Sequence, residues 1–277
     1  MKIIEINLKD KYAFLGEGDR NPTLTCYLPR NIVEMGRENE MRPCMVVCPG
    51  GGYYGCSERE AEPIALKFLN WGFNVFVLRY SCAPHRYPIQ LREVASVFEE
   101  IYANANEWHC DTTKIGIIGF SAGGHLAAHY SNAYNCDDVR NVFPDSKQPN
   151  FSVLSYPVIS ADESFAHKGS FINLVGEYPV GEDVVKYSCE KMVSPGTPPT
   201  FIWHTTTDQA VPVKNSLVYA TALAENNVPF SLHIYPYGVH GVSTVDHLTN
   251  DDDKLDSKTL LAKEWLNDLK EWMDETI

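Results

Sequence analysis

No stretch of this 277-residue sequence approaches the ~18 consecutive apolar residues that a membrane-spanning helix needs, so a bilayer-embedded role is not expected. The opening residues, MKIIEINLKDKYAF, place Lys2, Glu5, Lys9, Asp10 and Lys11 where a signal peptide would carry an apolar core and a small-residue cleavage site. The expectation is a cytoplasmic protein. Positive charge is also scarce. Twenty-three Lys and Arg against 36 Asp and Glu leave a net charge of −13, and such a surface repels phosphate backbones and anionic headgroups. Nucleic acid and membranes are therefore not expected as partners, while a homo-oligomer stays open. The eight cysteines (26, 44, 48, 56, 82, 110, 136 and 189) include no C-x-x-C pair of the kind that marks zinc or redox sites. Several lie in apolar runs, where a thiol packs as a small hydrophobe, and they read as reduced and structural. There is no internal repeat and no low-complexity tract, and the charge run Asp251-Asp252-Asp253-Lys254 is short enough for a solvated loop.

What is present is an ordinary globular composition: 44% hydrophobic, 21% charged and 12% aromatic residues. Compact apolar or β-branched blocks at Cys44–Cys48, Asn74–Tyr80, Lys114–Ile118, Phe151–Tyr156, Thr200–His204 and Phe230–Tyr235 read as buried parallel strands. Between and after them, Leu91, Val94, Ala95, Phe98, Ile101, Tyr102 and Ala105, and then Leu261, Trp265, Leu269, Trp272 and Met273, recur at helical spacing. Strand and helix alternating this often predict an α/β fold, a doubly wound and mostly parallel sheet with helices on both faces. Two further strands, Ile3–Leu8 and Leu24–Leu28, are expected to pair as an antiparallel edge. One domain over 1–277 is the simplest organisation. Residues 157–198 hold scattered Gly, Pro and aromatic residues with no clean period, and read as a cap-like insertion near the ligand end of the sheet.

The most informative stretch is KIGIIGFSAGGHL, Lys114–Leu126. An apolar strand runs directly into Gly119-Phe120-Ser121-Ala122-Gly123, and Leu126, Ala127 and Tyr130 continue as a helix. This is the context that a G-x-S-x-G nucleophile elbow requires. A hydroxyl needs a base to take its proton, and a tetrahedral oxyanion needs donors waiting for it. Gly50-Gly51-Gly52, directly after the Cys44–Cys48 strand, is free of side chains and lets backbone N–H groups approach a substrate. No Gly-Lys-Ser/Thr follows it, which removes the phosphate-cradle reading. The expected oxyanion hole is Gly51 and Gly52 with Ala122, the residue after the nucleophile.

The acid and base should follow Ser121 in the order Asp, His, each on a loop after a late strand. Asp208 follows TFIWH, and His240 follows FSLHIY within Tyr237-Gly238-Val239-His240-Gly241. His125 and His129 lie on the helix after the elbow, and His204 and His233 lie within strands, where a hydrogen-bonded structural role is the better reading. Asp246 with His247 is the substitute pair, and Asp162 is an alternative acid.

These residues resemble the α/β-hydrolase superfamily, and within it the small acetyl-esterase group that includes acetylxylan-esterase-like and sugar-ester hydrolases. The matching segments are CPGGGYYGCSERE, VLRYSCAP, GFSAGGHLAAHYS, PGTPPTFIWHTTTDQAVPVKNS and NVPFSLHIYPYGVHG. The resemblance implies about eight strands, a catalytic set of Ser121, Asp208 and His240, no cofactor and no metal. Related esterases commonly carry His before the glycine triplet, where this chain has Pro49, and Arg59 and Glu60 are candidate anchors for the loop in its place. The implied reaction is hydrolysis of short acyl esters by way of an acyl-enzyme, with an amidase, formamidase or small peptidase on the same residues as the alternative. A neutral acylated sugar suits the acidic surface better than an anionic ester. Tyr53 and Tyr54 are candidate substrate contacts, and Tyr80, Trp203 and Tyr237 either stack on a sugar ring or complete the core. His85 and Arg86 read as a polar loop.

Overall fold

A computed structural model describes residues 1–12, 22–252 and 255–277. Asp253 and Lys254 of the charge run lie outside them. Eight strands form one sheet: β1 Lys2–Asn7, β2 Thr23–Leu28, β3 Arg42–Cys48, β4 Asn74–Arg79, β5 Cys110–Phe120, β6 Phe151–Ser155, β7 Thr200–Thr205 and β8 Phe230–Tyr235. Their spatial order is β1-β2-β4-β3-β5-β6-β7-β8. β1 pairs antiparallel with β2 and β2 antiparallel with β4, while every pair from β4 to β8 is parallel. The helices are α1 Leu8–Lys11, α2 Glu62–Asn70, α3 Ile89–Ala103, α4 Ala122–Ala133, α5 Asp137–Arg140, α6 Lys168–Val175, α7 Glu182–Tyr187, α8 Lys214–Glu225 and α9 Trp265–Thr276. Among the described residues no helix is long and apolar enough to cross a membrane.

The two-residue period of the strands divides the core between the two faces of the sheet. Cys44, Val46 and Cys48 of β3 point to one cluster with Val94 and Phe98 of α3, Leu126 and Tyr130 of α4, and Tyr219 of α8. Met45 and Val47 point to the other, with Ile64 and Phe68 of α2 and Trp265 and Leu269 of α9. Trp203 and Trp265 stack at 4.8 Å on that second face, and Phe151 lays its ring where a Cβ on Gly116 would stand, 2.3 Å away. All eight cysteines are free, six of them buried.

Two details depart from the periodicity. The C-terminal segment opens as 3₁₀ turns over Thr259–Glu264 before α9 begins, and three residues per turn rotate Leu261 off the apolar face, leaving it 52% exposed. Tyr102, in the last turn of α3, is likewise exposed, while Glu93 and Glu100 on that helix are buried. Glu93 accepts from the backbone N–H of Ser81 at 2.7 Å and from its hydroxyl, at the carboxyl end of β4.

Candidate active site

β5 ends at Phe120 and α4 starts at Ala122, so Ser121 makes the whole turn alone, at φ 53° and ψ −119°. A non-glycine residue held there stores on the order of 1–3 kcal/mol. Neighbouring bonds impose it: Ser121 N–H donates to Ser155 O at 3.0 Å, and Ser121 O accepts from Val158 N–H at 2.9 Å and His125 N–H at 3.1 Å. The flanking glycines are required sterically. A Cβ on Gly119 would stand 2.1 Å from Gly123 O, and one on Gly123 would stand 2.1 Å from Cys48 O.

The loop after β7 places Asp208, and the loop after β8 places His240. His240 Nδ1 lies 2.6 Å from Asp208 Oδ2 and His240 Nε2 lies 2.8 Å from Ser121 Oγ. A carboxylate can only accept, so the imidazole proton sits on Nδ1 and the lone pair of Nε2 faces the serine hydroxyl. Asp208 is buried, and its Oδ1 accepts from the N–H groups of Ala210 and Val211, both at 2.9 Å. Burial by itself would raise its pKa. Bonds from His204 and His240 outweigh that and hold the carboxyl well below the usual carboxylate range. Strand periodicity gave no sign of the His204 contribution. Its Nδ1 lies 2.8 Å from Ser216 Oγ, and its Nε2 lies 3.0 Å from Val211 O and 3.3 Å from Asp208 Oδ2.

Gly50, Gly51 and Gly52 leave β3 with φ values of +124° at Gly51 and +63° at Gly52, a region open to glycine but costly for other residues. A Cβ on Gly51 would stand 2.2 Å from Gly55 O. Two side chains grip the loop. Buried Glu60 accepts Gly50 N–H at 2.8 Å through Oε2 and the Tyr156 hydroxyl at 2.7 Å through Oε1. Asn173 of α6 donates to Gly52 O at 2.9 Å. Glu60 thus occupies the anchoring role left vacant by Pro49, whereas Arg59 is exposed. α6 is itself clamped by the loop after β4: Arg86 donates to the carbonyls of Ile172 and Asn173, and Tyr87 N–H to Leu174 O at 2.8 Å. Ala122 opens α4, so its N–H has no carbonyl within the helix to bond.

Ser121, His240, Gly51, Gly52 and Tyr54 line one cavity of about 370 Å³, together with Arg59, Glu60, His167, Gly169 and Asn173. The last three come from the 157–198 excursion. Tyr54 is 72% exposed at its rim. Tyr53, expected as a substrate contact, does not line this cavity: it is 1% exposed, its hydroxyl 2.8 Å from His125 Nδ1, and it braces the loop from behind. Burial holds His125 neutral, with its pKa lowered to about 4. Tyr80 and Trp203 are core residues, and Tyr237 is exposed. The substitute pair is not assembled, since Asp246 bonds Lys67 at 2.9 Å and exposed His247 bonds Asp252 at 2.9 Å. Asp162 is exposed and lines a separate cavity of about 760 Å³, with Tyr178 and Lys214, that holds none of Ser121, Asp208 and His240. Among the described residues no group of three or more His, Cys, Asp or Glu side chains is placed to hold a metal ion.

A family model described as BD-FAE matches residues 27–223. The chain belongs to the BD-FAE family of α/β hydrolases. Within the reach of this BD-FAE match lie the glycine loop and the elbow serine, and Asp208 also falls inside it. The chain is similar to endo-1,4-β-xylanase B of Butyrivibrio fibrisolvens, 36% identical over 87% of this chain and 37% of that protein. It is also similar to an acetylxylan esterase of Xylanibacter ruminicola, 35% identical over 83% of this chain and 46% of that protein. The chain thus spans less than half the length of either relative. The crystal structure of an acetyl ester-xyloside bifunctional hydrolase from Caldicellulosiruptor lactoaceticus superposes with a TM-score of 0.79 at 37% identity, covering 93% of this chain and 89% of that one.

Proposed function

We propose that this BD-FAE protein is a serine carboxylesterase that removes short acyl groups, acetyl above all, from sugars or xylo-oligosaccharides. The observation that carries the reading is the hydrogen-bonded series Ser121 Oγ, His240 Nε2, His240 Nδ1, Asp208 Oδ2, ending at the floor of a cavity beside a glycine loop. His240 accepts the Ser121 proton as Oγ attacks the ester carbonyl. Asp208 stays ionised, holds the imidazole in its tautomer and stabilises the imidazolium. The N–H groups of Gly51, Gly52 and Ala122 receive the oxyanion, and the positive end of α4 adds to their field. His240 then returns the proton to the departing alcohol oxygen, and water hydrolyses the acyl-Ser121 by the same steps in reverse.

The sugar part of the proposal draws on the acetylxylan esterase and the acetyl ester-xyloside hydrolase to which the chain is similar. In this reading the 157–198 excursion acts as a cap over the cavity, and exposed Tyr54 offers a ring for a sugar face. A panel of p-nitrophenyl esters of increasing acyl length, run beside acetylated xylo-oligosaccharides and matched amides, tests it. Turnover falling with acyl length, with esters far ahead of amides, is expected. Preference for long acyl chains or for amides would overturn it.

A further inference from the structure

We infer that His167 recognises the alcohol half of the substrate, and that the preferred ester carries a free hydroxyl on the carbon next to the acylated one. The inference rests on the esterase reading above and adds to it the residue that selects the alcohol. His167 belongs to neither the nucleophile's hydrogen-bonded series nor the glycine loop, yet it lines the same cavity as Ser121 and His240.

Its ring is held from behind. Nδ1 lies 2.8 Å from the hydroxyl of buried Ser170, which fixes the imidazole plane. Nε2 makes no hydrogen bond among the described residues. Cε1 stands 3.9 Å from the point a Cβ on Gly52 would occupy, so the imidazole overhangs the glycine loop at the point where only hydrogen occupies the loop's surface. Burial, and then the nearby charge of His240, lower the pKa of His167 and favour its neutral form. A neutral imidazole offers a single directional hydrogen bond at Nε2, as donor or as acceptor according to the tautomer. A hydroxyl can answer either way. The alcohol oxygen must come to His240 Nε2 to receive its proton, and His167 lines the same cavity of about 370 Å³, over Gly52 of the glycine loop. The group it meets is therefore attached close to the leaving oxygen. A vicinal diol ester, such as a partly acetylated sugar, supplies that group, whereas a simple aryl or alkyl ester leaves Nε2 unpaired.

The test compares kcat/KM for a mono-acetylated methyl xyloside with a free neighbouring hydroxyl, the same xyloside with that hydroxyl methylated, and p-nitrophenyl acetate. Sites that bond a substrate hydroxyl discriminate strongly against analogues lacking it, less so when half open to water. Wild type should favour the free over the methylated xyloside by roughly 10–100-fold. In His167→Leu that preference should collapse, along with the ratio of xyloside to p-nitrophenyl acetate turnover. His167→Gln, which keeps an amide N–H, should restore part of it. An undiminished preference in His167→Leu, or an equal loss on all three substrates, would overturn the inference. Failure of the wild type to hydrolyse any ester would overturn the esterase reading itself.

Discussion

Glu60 Oε2 and the Gly50 N–H meet at 2.8 Å in a buried hydrogen bond that ties the glycine loop to the turn before α2. Through its other oxygen Glu60 holds the Tyr156 hydroxyl, which accepts Ser243 N–H at 3.1 Å, and the Tyr156 ring meets His240 edge-on at 5.1 Å. One carboxylate therefore supports both the loop that would take the oxyanion and the loop that carries the imidazole.

Removing that carboxylate should separate chemistry from binding. Glu60→Ala leaves two buried donors without an acceptor, a loss of about 1–3 kcal/mol each. A melting point lower by roughly 2–4 °C per kcal/mol is expected. Glu60→Gln can satisfy only one of the two and should lower kcat about 10–100-fold with a smaller change in KM, by analogy with the loss of an oxyanion donor. Steady-state kinetics and thermal unfolding of both variants check this.

His204 should act through Asp208. His204→Phe removes one of the bonds that hold the Asp208 carboxyl down, so that carboxyl rises toward its ordinary value. Asp208 must be ionised to keep the Nδ1 proton of His240 in place. Weaker support of Asp208 should loosen its hold on the imidazole, so kcat at neutral pH should be lower by roughly 10-fold in the variant, with little change in KM. A kcat for His204→Phe equal to that of the wild type would refute the role.

Glu93 sets a pH dependence of stability with the opposite sign to that of Asp208. Burial pushes its pKa up to about 8, against the two bonds from Ser81. Between its unfolded value of ~4.3 and that figure the folded state holds the extra proton, so unfolding free energy falls as pH rises, by up to ~1.4 kcal/mol per pH unit. Asp208, held low, contributes stability that is complete above its ordinary value and lost only in acid. Melting points measured from pH 5 to 8 should decline in the wild type and decline less in Glu93→Gln.

The elbow should tolerate no methyl group. Gly123→Ala puts a Cβ 2.1 Å from Cys48 O and 2.3 Å from Pro49 O, both backbone atoms that cannot swing away. A loss of about 3 kcal/mol or more is expected from such overpacking. Gly55, whose added Cβ would meet nothing within 4 Å, is the matched control, and its alanine variant should unfold near the wild-type temperature.

Ser121, Asp208 and His240 were legible because each follows a strand whose apolar run is visible in the sequence, and strand ends carry site loops in open parallel sheets. The sheet itself was legible for the same reason, even to its antiparallel N-terminal edge. Glu60 was legible only as one of two candidate anchors, and Asn173, His204 and His167 were not legible, because what they do depends on a distant pairing or on a ring turned by its neighbours. Nothing local separates Asn173 from any helical asparagine; only the packing of α6 on the glycine loop does. Tyr53 and Tyr54 are adjacent and chemically alike, yet φ of +57° at Tyr53 drives its ring inward to His125 while Tyr54 faces solvent. That outcome belongs to the backbone and leaves no mark on composition or spacing.

The proposed chemistry depends on Ser121 as the nucleophile. Wild type and Ser121→Ala should be incubated with acetylated xylo-oligosaccharides and acetate release followed, with parallel fluorophosphonate labelling read by intact mass. Steady acetate release and a single adduct on Ser121 are expected in the wild type. In Ser121→Ala no adduct and a rate lower by at least ~10⁴ are expected, on an unchanged fold. Acetate release by Ser121→Ala near the wild-type rate, or an adduct at another residue, would contradict the proposed chemistry.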